Sequence, residues 1–118
     1  MNKILIVDDQ QINRKLPLVM LTSSGFTCIE ACSGEQALEI LAAAPDIGYV
    51  LLDVSMPGMS GIEVCKLLRA REGQAMRIIA YTAHAFADEK AEIMSAGFDD
   101  LLIKPITRES LNKVMGIV

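Results

Sequence analysis

Asp8, Asp9, Asp53, Thr82 and Lys104 each follow a short apolar run, and they are the residue types of a site for a divalent cation and a phosphoryl group. Carboxylates are the usual ligands of hard cations. An ammonium and a hydroxyl can bind phosphoryl oxygens. These residues are scattered from position 8 to position 104, so only the fold can assemble them. In an open α/β sheet the carboxyl ends of the strands line up along one edge, where ligands bind. If each apolar run is a parallel strand, the five side chains meet in one pocket.

Each residue also has a plainer role to set against this. An Asp after a strand can cap the following helix. One Asp explains that, whereas two adjacent ones repel. Two unit charges ~4 Å apart cost on the order of 1 kcal/mol in water and ~4 kcal/mol at the effective dielectric near a protein surface. Asp53, delivered by Leu51-Leu52, adds to the repulsion, and a divalent cation would offset it. Asp53 could be a turn residue before Pro57-Gly58, but a carboxylate there can also attack phosphorus and form an aspartyl phosphate. Lys104 alone would be a solvated charge; opposite three acids it becomes a neutralising group. Thr82 can cap a loop or donate to a phosphoryl oxygen. The Lys104-Pro105 bond is a candidate cis peptide.

The elements that must position these groups are legible as alternating strands and helices. Lys3–Val7 is a β-favouring run suited to a central parallel strand. A helix is expected from about Gln11 to Ser24, with Ile12, Leu16, Val19 and Met20 on its apolar face, Pro17 kinking it and Gly25 closing it. Phe26–Ala31 reads as the second strand. Ser33-Gly34-Glu35-Gln36 is a capping box opening a helix that Pro45 ends. Tyr49–Leu52 is the third strand. After the turn Met56-Pro57-Gly58-Met59, a second box, Ser60-Gly61-Ile62-Glu63, opens the helix carrying Val64, Leu67 and Leu68. Arg77–Tyr81 forms strand four, and a helix from about Asp88 to Ala96 is closed by Gly97. Leu101–Ile103 is strand five, and Thr107 can cap the last helix. This (βα)5 order predicts a doubly wound parallel sheet with helices on both faces and right-handed crossovers.

The 118 residues suit one domain, and the 52% apolar content suits a sheet buried on both faces. No run reaches the ~18 apolar residues of a membrane span. The start, Met1-Asn2-Lys3-Ile4, lacks the apolar core of a signal peptide, which places the chain in the cytoplasm as an expectation. The net charge of −4 argues against a nucleic-acid surface. Cys28, Cys32 and Cys65 show no CxxC spacing, and the single His84 is remote from them, so zinc is disfavoured. They are expected to be reduced, half-buried fillers of a core.

Taken together, Ile6-Val7-Asp8-Asp9, Leu51-Leu52-Asp53-Val54-Ser55-Met56-Pro57-Gly58, Thr82-Ala83, Gly97-Phe98-Asp99-Asp100 and Lys104-Pro105 resemble the response-regulator receiver domains of two-component signalling. The resemblance covers essentially residues 1–118. It implies the flavodoxin-like fold with strand order 2-1-3-4-5. It further implies that Asp53 is the phosphoacceptor, that Asp9 and Asp53 ligate Mg²⁺ (or Mn²⁺) directly, that Asp8 acts through water, and that the Ser55 backbone carbonyl is a further ligand. Lys104 would contact the phosphoryl group and Thr82 would move toward it. The side chains of Ser55 and His84 would tune hydrolysis. Such a domain catalyses only its own phosphorylation and slow dephosphorylation.

Receivers often carry Tyr or Phe at the position of Leu101, so the aromatic part of the switch departs from the family here; Pro17 is also atypical. The stretch Thr82-Ala83-His84-Ala85 and the pair Asn13-Arg14 are similar to receivers of hybrid sensor histidine kinases. The implied partner is a sensor histidine kinase or a histidine phosphotransfer domain, with no direct nucleic acid and no membrane contact. The location would be cytoplasmic, including the cytoplasmic part of a membrane-bound hybrid kinase. No output domain is recognisable, and the signalling face would surround His84, Phe86 and the last two helices.

Other readings of the same residues fit less well. An aspartate-dependent phosphatase would want D-x-D after the first strand, where this chain has Asp8-Asp9-Gln10. A flavodoxin-like FMN binder would place a Ser/Thr/Gly-rich loop there, and the two acids would repel its phosphate. A non-phosphorylated interaction module of the same fold would not need every key side chain, yet all are present.

Overall fold

A computed structural model describes residues 3–72, 76–83 and 87–116. Five strands, β1 (Lys3–Val7), β2 (Thr27–Ala31), β3 (Tyr49–Asp53), β4 (Arg77–Thr82) and β5 (Asp100–Ile103), alternate with five helices. These are α1 (Gln11–Ser23), α2 (Gly34–Ala43), α3 (Gly61–Glu72), α4 (Ala87–Ser95) and α5 (Arg108–Met115). The sheet is parallel throughout, in the order β2-β1-β3-β4-β5. Both the expected alternation and the expected order are present.

Strand side chains alternate between two cores, as the pleat requires. Leu5, Val7, Val50, Leu52, Ile78 and Ala80 join the core under α2, α3 and α4. Ile4, Ile6, Leu51, Ile79, Tyr81 and Leu102 join the core under α1 and α5. The same alternation carries Asp8 and Asp53, one residue past Val7 and Leu52, to the α1 side at the sheet's edge.

Capping follows the sequence closely. The Ser33 hydroxyl accepts from Gln36 N–H, but the Gln36 side chain reaches Cys32 N–H, one residue beyond the expected box partner. At α3 both halves of the box form between Ser60 and Glu63. Thr107 caps α5 reciprocally with Ser110. Gly25 and Gly97 close α1 and α4 at positive φ, where a Cβ would be strained.

Three expectations need correction. Most of the apolar stripe assigned to α1 faces outward: Ile12 and Val19 are 71% and 63% exposed and Leu16 is exposed too, while its fourth member, Met20, packs half-buried against the core. Pro17 and Leu21 are the residues that α1 buries, with Leu18 and Met20 half-buried. Pro17 lies inside the helix, as expected. In α3, Val64 and Leu68 are buried as expected, but Leu67 is exposed and Cys65 takes its place inside. The cysteines are not uniform either: Cys65 is buried, Cys28 half-buried and Cys32 exposed, all unbridged. His84 and Phe86 lie outside the described residues.

Candidate phosphoryl-transfer site

The strand ends bring the sequence-designated acids together. Oxygens of Asp8, Asp9 and Asp53 all lie within 4.8 Å of one another. Asp8 is fully buried, Asp53 is 4% exposed, and Asp9 is half-buried at the rim. Asp9, Asp53, Ser55, Thr82 and Lys104 line a cleft of about 380 Å³.

Lys104 closes this cluster from the opposite side. Its Nζ donates to Asp8 Oδ2 at 2.8 Å and lies 3.4 Å from Asp53 Oδ1. Beneath it, the Tyr81 ring centroid is 4.9 Å from Nζ, a cation–π distance. The backbone helps too: Lys104 N–H donates to the Thr82 carbonyl at 2.8 Å, so the loop after β5 is pinned to the end of β4. The Lys104-Pro105 peptide is cis.

Asp8 is held at every polar atom. Its N–H donates to the Ala31 carbonyl, its Oδ1 accepts from Gln10 N–H, its Oδ2 accepts from Lys104, and its carbonyl accepts from Arg14. Asp53 is held less tightly, by Ser55 N–H at 3.3 Å and by Lys104. Its backbone is constrained from behind. A Cβ at Gly61 would collide with the Asp53 carbonyl oxygen, so only glycine lets the start of α3 approach the strand end this closely.

The electrostatics are out of balance. Three carboxylates face one ammonium, and burial together with the Asp8 charge pushes Asp53 from its ordinary 3.8 up to about 6, against the pull of Lys104. For Lys104, burial works against the ammonium, but its hydrogen bond to Asp8 and the charges of Asp53 and Asp8 outweigh that and raise it. An all-oxygen donor set with this excess of negative charge is chemically suited to a hard divalent cation.

Thr82 is buried at the end of β4, 5% exposed, on the wall of the cleft. Ser55 lies at its mouth. Leu101 is half-buried against the α2–α4 core, away from the acids. Three contributors escaped the sequence reading: Tyr81 under Lys104, Gly61 behind Asp53, and Arg14 on the Asp8 carbonyl. The adjacent Tyr81-Thr82 pair was a visible signal for the first. For the other two no pattern in the chain announces the contact.

Comparison with known proteins agrees with this geometry. The family model described as the response regulator receiver domain matches residues 4–115. A sensor histidine kinase RcsC of Salmonella typhi is 37% identical over 114 residues, which is 97% of this chain and 12% of that protein. The chain thus spans about an eighth of the length of the curated relatives it matches first. Among solved structures, the chemotaxis protein CheY4 of Vibrio cholerae superposes with a TM-score of 0.90 at 29% identity, covering 98% of this chain and 97% of that one. The CheX–CheY–BeF3–Mg²⁺ complex of Borrelia burgdorferi gives 0.86 at 28% identity, covering 96% and 85%. With the fold, the strand-end acids and a family match over nearly its whole length in agreement, this chain belongs to the response regulator receiver domains of two-component signalling.

Proposed function

We propose that the domain takes a phosphoryl group from a phosphohistidine donor onto Asp53 and changes partner binding as a result. The observation that carries this reading is the buried Asp53 carboxylate, 3.4 Å from Lys104 and within 4.8 Å of two further acids. The Borrelia complex similar to this chain contains BeF3 and Mg²⁺ by its description. A trifluoroberyllate bound to a carboxylate has the tetrahedral shape of an acyl phosphate, so the same two ligands suit this cleft.

Receiver domains bind Mg²⁺ at an acidic pocket, and the residues here fit that ion. Asp9, Asp53 and the Ser55 backbone carbonyl would hold it directly and Asp8 through water. When bound, the cation neutralises charge on the transferring oxygens. The chain supplies the rest. An Asp53 oxygen attacks phosphorus, an O–P bond forms and the donor's P–N bond breaks. The electron pair goes to the imidazole nitrogen, which takes a proton from water. A pKa of about 6 leaves the nucleophile mainly ionised at pH 7. Lys104 exchanges Asp53 for the new phosphoryl oxygens, and the Thr82 hydroxyl donates to another.

Phosphorylation adds about −1.5 to −2 charges and three strong acceptors. Drawing Lys104 and Thr82 toward them shifts the loops after β4 and β5. Taking a two-state equilibrium from 1:99 to 99:1 needs about 5.5 kcal/mol of differential interaction, within reach of a few charge-assisted hydrogen bonds. The donor is a sensor histidine kinase or histidine phosphotransfer domain, a partner class supported by the histidine kinases among the relatives, one of them named as hybrid.

Incubation with acetyl phosphate and Mg²⁺ followed by intact mass measurement tests the assignment. One phosphate is expected on the wild type and none on Asp53→Asn. Equal labelling of the variant would falsify it.

A further inference from the structure

Arg14 projects from α1 toward the strand ends and forks between two elements. Its Nη1 donates to the Asp8 backbone carbonyl at 2.7 Å, and its Nε donates to Glu30 Oε1 at 2.9 Å. Glu30 lies on β2, in register with Ile6 of β1. The Arg14 side chain is only 13% exposed, whereas Glu30 is 38% exposed, so the bond to the Asp8 carbonyl is the better shielded of the two. Joining α1 to β2 would need the Glu30 bond alone. The second bond goes instead to the residue immediately before Asp9.

A peptide unit is planar, so holding the Asp8 carbonyl also sets the plane from which Asp9 departs. The Asp8 N–H and both its carboxylate oxygens are already engaged. Arg14 adds a hold on the plane of the Asp8-Asp9 peptide. We propose that Arg14 is a positioning residue for the acid pair, its guanidinium fork holding the Asp8-Asp9 peptide so that the Asp9 carboxylate is preset for a divalent cation. This rests on the metal-binding part of the proposed function. Arginine suits the task because two diverging acceptors need its rigid fork, which a lysine ammonium lacks.

Positioning and simple charge make opposite predictions. A guanidinium beside the acids should by charge alone repel a dication, so removing it would tighten metal binding. If Arg14 positions Asp9, removing it weakens binding. Partners that hold metal-ligating carboxylates typically matter by 10- to 100-fold in affinity.

The test is Mg²⁺ titration of the whole chain, followed by calorimetry and by NMR of the Gln10 amide, together with metal-free thermal unfolding. Arg14→Met, which keeps the apolar stem, should raise the Mg²⁺ Kd about ten-fold. Arg14→Lys should recover part of that loss, and Glu30→Gln should move Kd in the same direction by less. Acetyl phosphate labelling of Arg14→Met should be slow at low Mg²⁺ and return toward wild type at saturation. An unchanged Kd with a lowered Tm would reduce Arg14 to a clamp, and a tighter Kd would make its charge the dominant effect; either overturns the proposal. Should Arg14→Met not fold, the same Kd comparison in Arg14→Lys and Glu30→Gln decides. A wild type that binds no Mg²⁺ sinks the functional reading itself. A wild type that binds and is labelled normally, beside an equally competent Arg14→Met, sinks only the role of Arg14.

Discussion

The two edges of the sheet handle charge in opposite ways. At the edge where β4 and β5 begin, Arg69 of α3 meets one carboxylate, Asp99, and also donates to the carbonyls of Gly97 and Met76. The same Asp99 oxygen accepts Ile78 N–H at 2.8 Å. Among the described residues, Arg69 pairs with Asp99, and backbone groups engage both partners as well. At the edge where the strands end, three carboxylates cluster, Lys104 pairs with two of them, and Asp53 is pushed up to about 6. Balanced charges tie elements together. Unbalanced ones store repulsion that a bound cation or a proton relieves, and natural sequences accept such local conflict where function demands it.

Breaking the balanced edge should have the largest effect on stability. Arg69→Ala takes the cation from Asp99 and a donor from two carbonyls, and should cost about 3 kcal/mol in urea unfolding. Labelling of the folded fraction by acetyl phosphate should stay within about two-fold of wild type, since nothing at the other edge changes. If labelling collapsed while stability held, the two edges would not be separable in this way.

At the unbalanced edge the sign reverses. Asp53→Asn removes a buried charge from a crowded cluster and should stabilise the metal-free fold by on the order of 2 kcal/mol at pH 7. The variant should also lose the stabilisation that Mg²⁺ gives the wild type. The pH dependence follows from the same shift. Because the folded value of about 6 exceeds the ordinary 3.8, the folded state binds the proton more tightly. The Asp53 contribution is therefore complete below 3.8 and lost as pH rises through 6. Metal-free wild type should gain stability as pH falls from 7 to 5, and Asp53→Asn should show a flatter profile. Denaturant melts at several pH values measure both; a parallel pair of profiles would exclude Asp53 as the source.

The smallest effect concerns the ring under Lys104. Tyr81→Leu removes a cation–π contact of about 0.5–1 kcal/mol and should slow labelling a few-fold. Tyr81→Phe keeps the ring face and should label as wild type does. Equal rates in all three would mean that the two carboxylates alone hold the ammonium.

Much of this arrangement is legible in the linear chain. Apolar runs ending in Asp8, Asp53, Thr82 and Lys104 mark strands by their composition, and the parallel sheet then aligns their ends. The capping box at Ser60 and the cap residue Thr107 mark helix starts because their partners lie only three residues away. The first helix is different. Two stripes on α1 have helical spacing, Ile12-Leu16-Val19, the part of the expected face without Met20, and Pro17-Leu21, and both satisfy the period. Which one turns inward depends on where β1 and β2 hold the helix, and the more apolar stripe is the one left outside.

Local chemistry by itself therefore determined the element order, the caps and the identity of the strand-end acids, since each depends on residues only a few positions apart. The inward face of α1, the fork of Arg14, the ring beneath Lys104 and the glycine behind Asp53 were decided only by the tertiary structure. Each of those contacts joins segments distant in sequence, and their geometry exists only once the sheet has set the distances between them.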